Sequence, residues 1–440
     1  MGNLDIMPWR SRRQIALGLL LAVLLGAVIA YDRCHAGGFM IPHQTAKGLG
    51  MANALTAGVD DPSAVYYNPA ALREVDGNVL LLNGSYINVI NSVENRAREA
   101  RNLHDDNFLA ALFVNYHLPG SNVTFGLGAY TPFGLATTYE AGFARFAAQR
   151  TELRTLYVTP AFSWSPFKQL SIGAGASFVH ATGLFSRALC FDPITGCTAP
   201  IGLEGRMRIT DTTHAFAYNL GILFKPVDRI KLGFSYRSRT DLRFREARVK
   251  LEGAFSIAAT SAEVRPLPLP PVIDLGVFWQ ITPFLGAEFV YEHVRWEEFA
   301  RFGATFSPRP RFLGAPVAGF SLPQEWKSTS VFRLGAFYKL TAAWEIRAGI
   351  TLDETPIPER RLNPAIPGAD ILTLNAGVGY HVGRISVDVG YMAALYKTRR
   401  ARNVELEGIP ATGIPFLGVP GRDKFTTFNN FVALSLSYAF

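Results

Sequence analysis

FVALSLSYAF, residues 431–440, sets Val432, Leu434, Leu436, Tyr438 and Phe440 on one side and Ala433, Ser435, Ser437 and Ala439 on the other. Alternation with period two is strand geometry, because successive side chains of an extended chain point to opposite faces of a sheet. The same theme recurs upstream with charge on the second face. In 344–353, Trp344, Ile346, Ala348, Ile350 and Leu352 oppose Glu345, Arg347, Gly349, Thr351 and Asp353. In 330–340, Phe332, Leu334, Ala336, Tyr338 and Leu340 oppose Arg333, Gly335, Phe337 and Lys339. Segments 230–237 and 384–391 read the same way, the latter setting Arg384 and Asp388 against Ile385, Val387, Val389 and Tyr391.

About fourteen such segments begin near residues 78, 107, 122, 152, 169, 210, 229, 272, 284, 326, 343, 369, 384 and 423, as alternation places them. A soluble sandwich also alternates, so the connections must separate the two architectures. They run long, short, long, short: LPGS, PFK, PVD, TP and TA on one side, and stretches such as 139–151, 189–209, 246–271 and 299–325 on the other. Short turns at one end and long loops at the other belong to a transmembrane barrel. The expected fold class is therefore all-β, a transmembrane antiparallel β-barrel of about fourteen strands closed on itself, since lipid offers no partner to an open edge. Arg237, Arg333, Lys339, Glu345, Arg347, Asp353, Arg384 and Asp388 then point into the lumen, as a polar lining or as a site for an anionic headgroup.

Ahead of the strands stands GGFMIPHQTAKGLGMANALTAGVDDPSAVYYNPAAL, residues 37–72, too broken by Gly and by Asp61-Pro62 and Asn68-Pro69 to form a long element. It has little core of its own, and residues 37–77 are expected to form a plug held by the barrel of residues 78–440. Residues 1–36 read as a signal peptide: Arg10, Arg12 and Arg13 precede an apolar run, 15–30, short of the ~20 residues of a spanning helix. Cleavage after Ala30 or near Ala36 fits equally. The formal charge is +8, but the basic residues are dispersed among aromatics and carboxylates, which argues against nucleic acid and suits anionic lipid headgroups. Cys190 and Cys197 frame FDPITG and admit either a loop disulfide or two free thiols. No metal site or cofactor is expected.

Five strings in order resemble the FadL/TodX-type outer-membrane transporters of long-chain fatty acids and hydrophobic compounds. They are GLGMANALTAGVDDPSAVYYNPAAL, YTPFGLATTY at 130–139, PVDRIKLGFSYRS at 226–238, LPLPPVIDLGVFW at 267–279 and EIRAGITLDETPIPERR at 345–361. The aromatic carboxy-terminal residue likewise resembles the insertion signal of outer-membrane barrels. The resemblance implies a Gram-negative outer-membrane location, a monomer, and partners that are hydrophobic small molecules together with outer-membrane lipid and lipopolysaccharide. It implies passive uptake: capture by external loops, rearrangement of an N-terminal hatch, and lateral release through a kinked third strand. The matching residues are Phe39, the Asn68, Pro69 and Ala70 motif, and Pro132, Phe133 and Gly134 in the third strand. Pro132 removes a ladder donor and Gly134 tolerates a bulge, so the wall should be defective there. His180, Arg333 and Lys339 are the candidate contacts for an anionic substrate group, with an uncharged hydrocarbon as the alternative. A general porin, or an outer-membrane hydrolase, is the competing function. No GxSxG or nucleophile–base spacing supports an enzyme.

Overall fold

The computed structural model describes residues 38–440 except 95–98, 102–105, 140–142, 147, 191–203, 254–259, 310, 313–314, 317 and 401–423. All fourteen alternating segments are strands. They are β1 (Val79–Glu94), β2 (Asp106–His117), β3 in two pieces (Val123–Tyr130 and Gly134–Thr138), β4 (Arg150–Phe167), β5 (Leu170–Cys190), β6 (Glu204–Val227) and β7 (Ile230–Arg237). There follow β8 (Val272–Thr282), β9 (Leu285–Val294), β10 (Thr329–Lys339), β11 (Trp344–Asp353), β12 (Ile371–Val382), β13 (Ile385–Tyr396) and β14 (Lys424–Ala439). Neighbours pair antiparallel, and β1 closes on β14 from Val79↔Ala439 to Glu94↔Lys424. The apolar faces point outward: Phe125, Phe162, Trp164, Leu220, Trp279, Trp344, Leu434 and Phe440 are all exposed. Several of these aromatics sit beside the short turns, where Trp344 and Tyr380 pack with ring centroids 4.6 Å apart. That is an aromatic girdle at one edge of an apolar band.

The long connections differ from the expectation in one respect. Parts of 189–209, 246–271 and 299–325 are themselves sheet. Ala247–Gly253 pairs with the far end of β6, Thr260–Val264 with Arg301–Ser307, and that strand with Gly319–Pro323. β5 alone runs 21 residues, against the ~9–11 that cross a bilayer. Above the membrane the outward face meets water, so the contrast across a strand inverts. Arg206 and Arg208 face out where Phe216 and Leu220 stand lower on the same strand, while Met207 and Ile209 stay buried inside. Charge on the outer face is what disguised these stretches as loop. Residues 1–36, Cys197 and most of GAFSIAAT lie outside the described residues.

The N-terminal segment packs against the inward faces of the strands. It contains α1 (Ala46–Gly50), α2 (Ala64–Tyr67) and a 3-10 turn, Pro69–Glu74. Thr45 caps α1 by accepting from the Gly48 N–H at 3.0 Å, and Asn68 caps the 3-10 turn by accepting from Ala70 N–H at 3.1 Å. Backbone groups that such short elements cannot satisfy are taken up by the wall. Ala46 N–H donates to Ser435 Oγ at 2.9 Å, Asn375 Nδ2 donates to Leu49 O at 2.7 Å, and Asn219 Nδ2 to Val65 O at 2.7 Å. Ser163 Oγ donates to Ala70 O at 2.7 Å. The Glu288 carboxylate accepts from the N–H groups of Ala57 and Gly58 at 2.6 and 2.8 Å.

A ring of lumen-facing glycines makes this approach possible. A Cβ on Gly173, Gly221, Gly233, Gly335 or Gly390 would overlap atoms of Ala70, Asn68, Thr56, Met51 or Ala46 respectively, and a Cβ on Gly377 would stand 3.0 Å from Gly50 Cα. With this fit Leu49, Met51, Leu55 and Leu72 are fully buried, each contributing roughly 1.5–3 kcal/mol. Gly335→Val should lift the segment from β10 without breaking wall hydrogen bonds. The expected result is trypsin cleavage after Lys47 in a barrel that stays folded in detergent; protection equal to the unmodified chain would refute the fit.

Candidate functional site

The third strand is broken where Pro132 interrupts it. Below the break β3 pairs with β2, from Leu112↔Ala129 to His117↔Thr124. Above it, Gly134–Thr138 pairs only with β4, and the upper half of β2, Asp106–Ala111, pairs only with β1. Among the described residues no strand pairing runs between these facing edges. The opening lies between exposed Tyr116 near the short turn and exposed Phe108 above, hence at bilayer depth. An interrupted ladder at that depth is costly, which makes the break a feature to be explained. A cavity of about 530 Å³ occupies it, lined by Ala110, Phe108, Ala136 and Thr155 among others.

The N-terminal segment fills the inner side of the break. Ile41 N–H donates to Pro132 O at 2.7 Å, Gly134 N–H donates to Phe39 O at 3.0 Å, and Met40 bridges Phe133. Gln44 Nε2 donates to Thr131 O at 3.0 Å. Three residues of this segment thus replace the ladder that Pro132 forfeits. Phe39 anchors them in an aromatic cluster, with ring centroids 4.9 Å from Trp296, 5.7 Å from Trp326, 6.0 Å from Phe299 and 6.4 Å from Phe133. Edge-to-face contacts of this kind add about 0.5–1.5 kcal/mol each beyond burial.

Beyond Phe39 lies a second cavity of about 130 Å³, lined chiefly by Leu153, Phe185, Ile209, Phe244 and Phe302. Its size is close to the ~150 Å³ of an engineered cavity that takes benzene. Gln324, Asn363 and Arg361 are among its few polar contributors. Arg361 is bound to Glu325 at 3.0 Å, and hydrogen bonds from Arg360 and Arg361 hold the Glu325 carboxyl below its ordinary range. Phe39, Leu135, Glu152 and Leu153 line both cavities, and Leu135 and Leu153 are cross-strand partners. They form the partition between the interior and the wall opening.

Of the residues singled out in the sequence, the structure gathers Phe39, Pro132, Phe133 and Gly134 at this partition. Asn68, Pro69 and Ala70 sit elsewhere, under β5 and β6, where Asn68 Nδ2 donates to Thr56 O at 2.7 Å and to Ile222 O at 3.2 Å. Arg333 is buried and spent on Glu292 at 2.5 Å, beside Arg237, which pairs with Asp274 at 3.0 Å and Glu292 at 3.3 Å. Arg347 likewise joins Glu345 and Asp388, at 2.7 and 2.6 Å. Lys339 is exposed beside the short turn, 5.8 Å from the Phe337 ring centroid. His180 faces outward, its Nδ1 3.1 Å from His214 Nε2. None of these three lines either cavity. The sequence reading did not reach Trp296, Trp326, Leu135, Leu153 or Arg361. Two Trp residues in the long connection between β9 and β10 were the available signal for the first two.

The chain matches the family described as outer membrane protein transport protein (OMPP1/FadL/TodX) over residues 26–416. It is 24% identical to outer membrane protein P1 of Haemophilus influenzae, over 94% of this chain and 97% of that one. It is 22% identical to the long-chain fatty acid transport protein of Escherichia coli K12, over 84% of this chain and 90% of the relative. Among solved structures it resembles a FadL homologue of Pseudomonas aeruginosa, with a TM-score of 0.78 at 21% identity, covering 92% of this chain and all of the other. The toluene transporter TodX of P. putida superposes with a TM-score of 0.70 at 17% identity, covering 90% and 98%.

Proposed function

The chain belongs to the OMPP1/FadL/TodX family of outer-membrane transport proteins, which are channels and not enzymes, and from that premise we propose how it works. Hydrophobic small molecules, fatty acids or aromatic hydrocarbons, pass from the apolar cavity behind Phe39 into the wall opening at Pro132–Gly134 and leave sideways into the bilayer. Residues 37–77 act as the hatch. Movement of Phe39–Ile41 unites the two cavities, because those residues are both the partition and the substitute ladder. The observation that carries this reading is the pair of adjoining cavities that share Phe39, Leu135 and Leu153. The inner one accepts a single ring or part of an acyl chain, and a carboxylate reaching Arg361 would have to compete with Glu325.

Native mass spectrometry of the purified protein, after exposure to mixed fatty acids and alkylbenzenes, tests capture. One bound hydrophobic molecule is expected. Gly183→Leu, which extends into the cavity beside Phe244, should weaken retention about tenfold or more, the equivalent of an overpacking cost of ~1–3 kcal/mol. Full retention by that variant would remove the inner cavity from the pathway.

A further inference from the structure

The outer face of the barrel carries a second feature, unrelated to passage through the lumen. On β5 and β6 the apolar band ends at Phe178 and Phe216, whose rings lie 5.8 Å apart and of which Phe216 is 79% exposed. Above them come His180 and His214, then Thr182 and Thr212, and above these the outward positions turn basic. Arg208 stands directly across from Lys250, and Arg248 across from Thr210, while Arg206 lies next along β6, all four exposed. On the other side of Arg208 the register runs through Ser186 to Arg150 on β4.

Like charges directly opposite one another destabilise a sheet. Arg206, Arg208, Arg248 and Lys250 have no ion pair among the described residues. The acidic groups on this face among the described residues are Glu252, across from Arg206; Glu246 and Glu263, each two residues along from the Arg248–Ser261 pair; and Glu152, which is held by Arg150 at 2.8 Å and by Arg154. Elsewhere the same rim is neutralised within the chain: where β1 meets β14, Lys424 pairs with Glu94 at 3.1 Å. An exposed basic ladder without ion pairs, set beyond the histidine and threonine pairs that follow an aromatic-edged apolar band, has the charge of a site for anionic lipid headgroups. We infer that Arg208, Lys250 and Arg248, with Arg206 beside them, bind phosphate groups of lipopolysaccharide.

The full-length protein in detergent is titrated with bisphosphorylated lipid A, with its dephosphorylated form and with phosphatidylglycerol, and adducts are counted by native mass spectrometry. Bisphosphorylated lipid A should be preferred over both. The triple variant R208E, R248E and K250E should weaken it about a hundredfold, at roughly fivefold per basic residue. R384E, at the opposite end of the barrel, should leave it unchanged. Equal binding of phosphatidylglycerol, or lipid A binding retained by the triple variant, overturns the assignment. Should the triple variant not assemble, unmodified protein supplies the readout: raising salt from about 0.05 to 0.5 M must weaken binding of the phosphorylated form alone, and insensitivity to salt overturns it.

Discussion

Ala136→Trp combined with Ala110→Trp should cut uptake of a hydrophobic substrate at least about tenfold, an added barrier of only ~1.4 kcal/mol, while binding in detergent stays intact. Both alanines line the wall opening and neither lines the inner cavity. Each indole adds a ring system that fills ~150–250 Å² of contact, enough to occupy the gap between β2 and the upper half of β3. Gly134 is the less selective place to intervene. A Cβ there would stand 2.8 Å from Ile41 Cδ1, so a bulky residue would push the N-terminal segment off Pro132 as well as fill the gap. The two effects oppose each other, one closing the exit and the other releasing its partition. Uptake is to be normalised to the amount of folded barrel at the cell surface. Undiminished uptake by the double variant would rule out sideways release between these strands. Loss of binding together with uptake would place the block inside the barrel instead.

The strands were legible because a membrane wall forces one rule on the chain: apolar outward, anything inward. That is why Leu434 and Ser435, or Ile346 and Arg347, declare their faces without further context. The rule stops at the bilayer's edge, and the reading stopped with it, which is why Arg206 and Arg208 passed for loop. Pro132 and Gly134 could be read as a wall defect because proline cannot donate to a ladder anywhere. What replaced the missing bonds could not be read, since Phe39–Ile41 approach from more than ninety residues away by backbone contacts that leave no side-chain pattern. The charged lining misled for a related reason. Periodicity places Arg333 in the lumen, but only the fold brings Glu292 to it, and a paired, buried arginine has nothing left to offer a substrate. His180 could not be placed from residue type alone: it faces outward, a parity fixed by its pairing with His214 and that of Phe178 with Phe216.

Deleting residues 38–76, so that residue 37 joins Gly77, should convert a closed barrel into an ion-conducting pore. Eight strands leave an interior that side chains can fill, whereas sixteen to eighteen leave an aqueous channel. A ring of fourteen stands near the second case, and here its inward faces are cut back further by glycine at Gly173, Gly221, Gly233, Gly335, Gly377 and Gly390. Nothing on those positions can reach across once the segment is gone. The wall itself should survive, because its ladders run strand to strand, and the turn into β1 keeps its own bonds: Asn115 Nδ2 to Gly77 O and His117 N–H to Asn78 Oδ1, both at 2.9 Å. The groups that lose partners, Glu288, Asn375 and Asn219, would face water, where a freed carboxylate or amide is satisfied. Planar-bilayer recordings should therefore show a closed baseline for the intact chain and porin-like steps for the deletion, with the barrel still folded by its mobility in unboiled gels. A closed baseline in the deletion would mean that the external sheet between β7 and β10 seals the mouth by itself. Large steady currents from the intact chain would mean that the segment does not seal the barrel at all.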